Sequence, residues 1–349
     1  MKPLTIFFIL FSTMLCFSCS DEPMENYTNE IANDRMLIVL SAPSIHDPYY
    51  TDDFQEIVDF QIDYAKAIVG NDNVVLIVDN STRHYYKGKL PDDILITGNI
   101  SDIWMRDFTT INPLHPVQFK YTWASVTQQE SVEIQNSFKA FADKYKIERA
   151  TSDMLLDGGN IVDNYSGKVI ATTRFMEDNK LSALEAKQQL MFLLAATKVA
   201  IIPPDEEILA HADGMVCWVE DNTLLVNDYS EDTAFRNTVL NELASSFPNT
   251  TIIEVPVEFT KIKQAKGELI ESACGVNLNA TLTFNTLYVP VFGLPHDDEV
   301  LEIIKQNTTK KVIPINAEGV CGLGGSVRCL SWQLAGKNAE KLILAAREE

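Results

Sequence analysis

The sequence predicts a single α/β domain built from five pseudo-symmetric modules closed into a ring. Three observations predict it. Apolar, strand-like runs alternate with amphipathic helical stretches along the whole chain. One run recurs: Lys198-Val199-Ala200-Ile201-Ile202-Pro203-Pro204 resembles Thr250-Thr251-Ile252-Ile253-Glu254-Val255-Pro256, and both resemble Lys310-Lys311-Val312-Ile313-Pro314-Ile315. No linker-like break separates the repeats.

In chain order, Met36 to Leu40 reads as a strand. Asp53 to Val69 reads as a helix, with Phe54, Ile57, Val58, Ile62, Ala65 and Ile68 near a 3.6-residue period. Val74 to Val78 is again a strand. Further helices are predicted over Val132 to Tyr145, Leu181 to Ala196, Asp232 to Ser246 and Asp297 to Gln306. Each copy of the recurring run follows a helix and precedes a polar elbow and a β-rich segment. These elbows are His211-Ala212-Asp213-Gly214, Cys274-Gly275-Val276-Asn277 and Gly322 to Ser326. Two earlier units fit the scheme, Ile94 to Asp107 and Met154 to Asn160. The modules are then spaced roughly 45 to 60 residues apart. Each must bury one face. A ring does this and gathers the polar elbows at a central channel.

The first residues read as a leader rather than as fold. Residues 1–18 carry Lys2, no acid, and an apolar run from Leu4 to Phe17. That run is short of the roughly 20 apolar residues needed to cross a bilayer. Ser18-Cys19 followed by Ser20-Asp21-Glu22 resembles a bacterial lipoprotein processing site. Cys19 is therefore expected to become the lipidated first residue, with 19–35 a disordered tether and 36–349 the folded domain. The expected location is the bacterial cell envelope, at the periplasmic face or the cell surface. An ordinary secretory signal, with no role for Cys19, is the plainer alternative.

The formal charge of −21 excludes nucleic acid as a partner and opposes anionic lipid, leaving lipid attachment as the route to a membrane. It favours a cationic small molecule, although screening limits that attraction beyond about 8 Å. Cys217, Cys274, Cys321 and Cys329 follow the leader. Their spacing fits no zinc pattern, and the chain has five histidines, so no metal site is expected. Gly322 to Gly325 is not a phosphate loop, since no lysine follows where one is needed.

The elbows carry the chemistry: Trp104, Arg106 and Asp107; Asp157; His211 and Asp213; Asn277; Arg328 and Cys329. Each has a bland reading. Asp107 could pair with Arg106, Asp157 could cap a turn, His211 and Asp213 could satisfy each other, and Cys329 could be an inert buried thiol. Their recurrence at matching module positions points instead to a cysteine-nucleophile site.

The segments WMRDF, LLDGGNIVDN, HADGMVCWVEDNTLLVN, YVPVFGLPHDDEVL and GLGGSVRCLSWQ, in this order, resemble the agmatine deiminase and bacterial peptidyl-arginine deiminase family. The resemblance covers roughly residues 36 to 335. It implies the guanidino-group-modifying superfamily and its five-bladed α/β propeller, the pentein. It implies Cys329 as nucleophile, His211 as acid and base, and Asp213 and Asp107 as the carboxylates that hold a guanidinium. Trp104 would line the pocket, and Asp157, Asn277 and Arg328 would contact the substrate. Asp157 stands where the family has Glu, and Arg328 where agmatine deiminases have His.

A guanidinium is planar, cationic and a poor electrophile. Paired carboxylates can fix its plane before a thiolate attacks its carbon. Hydrolysis would give a ureido product and ammonia through a Cys-linked thiouronium, with no metal or organic cofactor. The expected substrate is a small guanidino cation such as agmatine, or an arginyl peptide. An amidinotransferase of the same superfamily and a non-catalytic, lipid-anchored binding pentein are the alternatives. Oligomeric state is left open.

Overall fold

The computed structural model describes residues 28–122, 126–263 and 269–349. The leader, with Cys16 and Cys19, lies outside the described residues. Among the described residues the fold is a mixed α/β arrangement with five small sheets of three or four strands and one further two-stranded antiparallel pair.

One topology recurs. Thr110–Ile111, Val117–Lys120 and Ala150–Leu155 form one sheet, in which the first two strands are antiparallel and the last two parallel. Val162–Asp163, Lys168–Thr172 and Lys198–Ile202 repeat it. So do Val216–Glu220, Thr223–Asn227 and Thr251–Val255, and then Thr281–Leu282, Thr286–Val291 and Lys311–Asn316. A parallel pair needs a crossover, and a helix supplies it. These are Gln128–Lys144, Ala183–Leu193, Thr233–Ser246 and Asp297–Gln306 in turn. The three runs that echo each other in the sequence are the third strands of three successive sheets.

The remaining sheet joins the two ends of the chain. Trp332–Leu334 runs antiparallel to Leu37–Ser41, in the register Leu37↔Leu334, Ile38↔Gln333 and Val39↔Trp332. Leu37–Ser41 is parallel to Asn73–Val78 across the helix Phe54–Ile68, and Leu95–Thr97 adds a fourth strand. Every residue of Leu37–Ser41 and of Asn73–Val78 is buried. That is why both read as unbroken apolar runs rather than as alternation. Trp332 is fully buried, donates its ring N–H to Thr110 Oγ1 at 2.8 Å and meets Phe138 edge-on at 5.1 Å.

Boundaries shift where polar residues start a helix. The helix predicted from Val132 begins at Gln128, because Thr127 and Glu130 form a capping box. Ser182 and Glu185 do the same for Ala183–Leu193. The C-terminal helix Gly336–Arg347 has no counterpart in the sequence reading. Residues 28–35, read as tether and disorder, are instead docked against the fold. Asn29 donates to Val74 O at 2.8 Å and accepts from Val74 N–H at 2.9 Å, and Glu30 N–H donates to Asn73 Oδ1 at 2.7 Å. This docking uses amide pairing, so no apolar signal announces it.

Candidate active site

The sheet-to-sheet elbows position the polar side chains that the sequence singles out. Arg106 N–H donates to Cys329 O at 3.0 Å, tying the Trp104–Asp107 elbow to the Ser326–Leu330 elbow. Gly325 makes the approach close: a Cβ there would stand 2.5 Å from the Trp104 ring and 3.0 Å from Cys329 Cβ. Cys329 is a free thiol, 7% exposed.

His211 sits between two carboxylates. Its Nε2 lies 3.4 Å from Asp157 Oδ2 and its Nδ1 lies 3.8 Å from Asp107 Oδ1. Asp157 is itself fixed by Thr122, which donates its N–H at 2.8 Å and its hydroxyl at 2.6 Å. Asp107 accepts the Gly159 N–H at 3.0 Å. Glycine at 159 lets these two side chains keep their spacing, since a Cβ there would stand 2.4 Å from His211 Nδ1 and 2.9 Å from Asp107 Oδ1.

Asp213 lies behind Cys329, its Oδ2 3.9 Å from Sγ. The same oxygen accepts from Arg328 Nη1 at 3.2 Å, while Arg328 Nη2 donates to Ile161 O at 2.7 Å. Arg328 is therefore turned inward as the counter-charge of Asp213, not outward to a substrate. Asn277 is also away from the site. It donates to Pro290 O at 2.9 Å and Asp297 Oδ1 at 2.8 Å, steadying the start of the helix Asp297–Gln306. Asn279, two residues on, is the elbow's contribution, with Nδ2 3.1 Å from Cys329 Sγ. Asn279 and Thr122 were not singled out in the sequence. The shared elbow position was a usable signal for Asn279, and none existed for Thr122.

Charge and burial set the protonation of the empty site. Burial pushes the Cys329 thiol well above its ordinary value, and Asp213 and Asp107 add to the rise. Burial also pushes Asp107 up to about 7, against the pull of the His211 ring. Burial alone would lower His211, but Asp107, Asp157 and Asp213 outweigh it and raise the imidazole to about 10. These carboxylates thus favour the charged imidazole and disfavour the thiolate.

Asp107, His211 and Cys329 face one cavity of about 450 Å³. Trp104, Tyr49, Tyr50 and Tyr121 line its walls, and Asp47, Asp102, Glu130 and Glu133 add four acids. No Lys or Arg lines it among the described residues. A larger hollow of about 560 Å³ along Asp79, Thr97 and Phe141 contains no Cys or His, so chemistry rather than size assigns the site. Cys274 and Cys321, whose pairing the sequence left open, form a disulfide, and Cys217 is free and buried. Among the described residues, no group of His, Cys, Asp and Glu is arranged to hold a metal ion.

The chain matches the family model for Porphyromonas-type peptidyl-arginine deiminase over residues 27–335. Among curated proteins none matches significantly. Solved structures with this fold include the C. jejuni agmatine deiminase, at TM-score 0.72 and 18% identity, covering 88% of this chain and 96% of that one. The agmatine deiminase of Enterococcus faecalis matches at TM-score 0.70 and 17% identity, covering 87% and 94%. A DDAH from Pseudomonas aeruginosa matches at TM-score 0.50 and 11% identity, covering 85% and 98%.

Gly159→Ala is expected to fold, because the clash is with side chains that can shift, yet to displace His211 from Asp107. Activity should fall by about 100-fold, the scale of a misplacement of about 1 Å. Ammonia-release assays beside a thermal melt check this. A variant with near-normal turnover would show that the His211–Asp107 spacing is not needed.

Proposed function

The chain belongs to the Porphyromonas-type peptidyl-arginine deiminase family and is a hydrolase of carbon–nitrogen bonds in a guanidino group, and from this premise we propose that Cys329 is its nucleophile. One observation carries the reading: a free Cys329, His211 and Asp107 converge on a single cavity lined with acids. A guanidinium entering it would meet Asp107 on the cavity wall, with Asp213 held behind the sulfur by Arg328 and outside the lining. Its positive charge beside Sγ would offset the two carboxylates that keep the thiol neutral, and the thiol proton would leave to solvent.

The sulfur lone pair then forms the C–S bond, and the carbon becomes tetrahedral. His211 donates its proton to one nitrogen, the C–N bond breaks, and ammonia departs. The thiouronium that remains is attacked by water, whose proton passes to the now neutral His211. Collapse of this second adduct breaks the C–S bond and restores the thiolate, and the hydroxyl proton leaves to solvent as the ureido product departs. Asp157, held by Thr122, keeps the imidazole aimed, which makes it a positioning residue.

We propose an amine-tailed guanidine as the preferred substrate. Beyond Asp107 and His211 the described lining offers four acids and no Lys or Arg, and Arg328 is engaged by Asp213. An ammonium tail suits that wall, whereas a carboxylate tail would lack a partner there. Such a mismatch costs about 1–3 kcal/mol, roughly tenfold to a hundredfold in kcat/KM. The test compares ammonia release from agmatine, arginine and a C-terminal arginyl peptide, with Cys329→Ala as control. Agmatine is expected to lead by at least about tenfold and Cys329→Ala to be inert. A clear preference for either carboxylate-bearing substrate contradicts the substrate reading, and turnover by Cys329→Ala contradicts the nucleophile.

We further propose export and lipid attachment at Cys19. The leader pattern of residues 1–18 supports this, as does the Cys274–Cys321 disulfide, which fits an oxidising compartment. In bacterial cells, Cys19→Ala should move the protein from the membrane fraction to the soluble one and remove the lipid mass from its N-terminal peptide. An unlipidated wild-type N-terminus would refute the anchor.

A further inference from the structure

The loop that leads into Cys329 is rich in glycine. It leaves the four-residue helix Glu318–Cys321 and runs from Gly322 to Gly325, with Leu323 its one larger side chain. Glycine adds conformational freedom, so the shape of such a stretch depends on how its ends are held. The site depends on that shape. Leu323 and Gly324 line the cavity that Cys329 faces, and Gly325 lies so close to the Trp104 ring and to Cys329 Cβ that an added Cβ would not fit.

The upstream end of the loop is held by a covalent bond. Cys321 is joined to Cys274, which lies 47 residues back and outside the loop. Weaker ties surround that bond. Ala273 N–H donates to Cys321 O at 3.0 Å, and the hydroxyl of Tyr49, a residue 53% exposed, donates to Leu323 O at 3.0 Å. Water competes with hydrogen bonds of this kind, whereas the disulfide opens only by redox chemistry. Its two sulfurs differ in access. Cys321 is 2% exposed and Cys274 is half-buried, so an attacking thiolate reaches the bond from the Cys274 side.

We propose that the Cys274–Cys321 disulfide is a redox switch on the active site. Closed, it holds the Gly322–Gly325 loop, and with it Cys329, in place at the cavity. Opened, it frees the loop and turnover stops. The protein is then silent in a reducing cytosol and is switched on in an oxidising compartment. The inference rests on Cys329 being the nucleophile. Opening takes two electrons from a dithiol. One of its thiolates attacks Cys274 Sγ, and Cys321 leaves as a thiolate that gains a proton. The second thiol of the reductant then closes its own disulfide and releases Cys274 as a thiol. Closure is the reverse, with the two electrons passing to a disulfide oxidant.

The experiment opens the bond in the folded protein. Dithiothreitol is added and then removed without air, a thiol count confirms opening, and three readouts follow: ammonia release from agmatine, a thermal melt, and alkylation of Cys329 by iodoacetamide read by peptide mapping. The reduced protein is expected to melt cooperatively. Its kcat/KM should fall by at least about tenfold, within the roughly 100-fold that a displacement of about 1 Å costs. Cys329 should alkylate faster, because the loop no longer covers it. Reoxidation should restore all three. The double variant Cys274→Ser, Cys321→Ser should match the reduced protein and be indifferent to dithiothreitol, which separates this bond from any effect of the reductant on Cys217 or Cys329. Unchanged kcat/KM and unchanged alkylation in the reduced protein overturn the proposal, as does a double variant as active as the oxidised wild type. Failure of both the reduced protein and the double variant to melt cooperatively also overturns it, by making the bond a folding requirement. Cys329→Ala keeps the two readings apart. If it still releases ammonia, the nucleophile assignment fails; if it is inert while the reduced wild type keeps full activity, this inference alone fails.

Discussion

On the proposed reading, the site must hold a cation with carboxylates and yet ionise a thiol beside them. These demands conflict, and the arrangement around Cys329 is organised by the conflict. Asp213 and Asp107 bring the negative charge that a guanidinium needs, and each pushes the thiol away from its reactive form. The protein answers in two ways. Arg328 pairs with Asp213 from behind, and Asn279 turns an N–H toward the sulfur. The substrate supplies the rest of the compensation through its own charge. The same field favours the charged form of His211, which suits its proposed role as the acid for the leaving nitrogen.

The fold makes the crowding of charge feasible. Each small sheet delivers one elbow, and each elbow adds one or two polar groups at a position set by strands on both sides. Glycines at 159 and 325 let the elbows approach without a Cβ between them. The strand pairing of Leu37–Ser41 with Trp332–Leu334 joins the chain ends three residues from Cys329. The proposed nucleophile is thus carried by the segment that closes the structure, backed by the buried Trp332. The Cys274–Cys321 disulfide links the segment that leads to Asn279 with the loop that leads into Cys329.

Much of this was legible in the sequence. The third strands announced themselves because parallel strands buried on both faces repeat the same apolar run. The helix Asp297–Gln306 was readable to the residue, since its apolar period and acidic first turn agree. Cys329, His211, Asp107 and Asp157 could be picked out because rare, chemically able residues recur at equivalent elbows. What was hidden depended on distance or on local direction. Thr122 and Asp157, or Arg328 and Asp213, meet only in the folded chain, and no spacing predicts such pairs. Asn277 and Asn279 differ by two residues in one elbow, and composition cannot say which amide faces the sulfur. The docking of Asn29 on Val74 uses backbone polarity, which leaves no hydrophobic trace.

The central claim is that turnover passes through a covalent bond between Cys329 and the guanidino carbon. It is tested most directly by acid-quenching the enzyme during steady turnover and weighing its peptides. The account predicts a substrate-derived mass on the peptide carrying Cys329, an unmodified Cys217 peptide, and loss of the adduct once substrate is exhausted. Continued ammonia release with Cys329 unmodified at every quench time, in an enzyme whose Cys329→Ala variant still turns over, would contradict it.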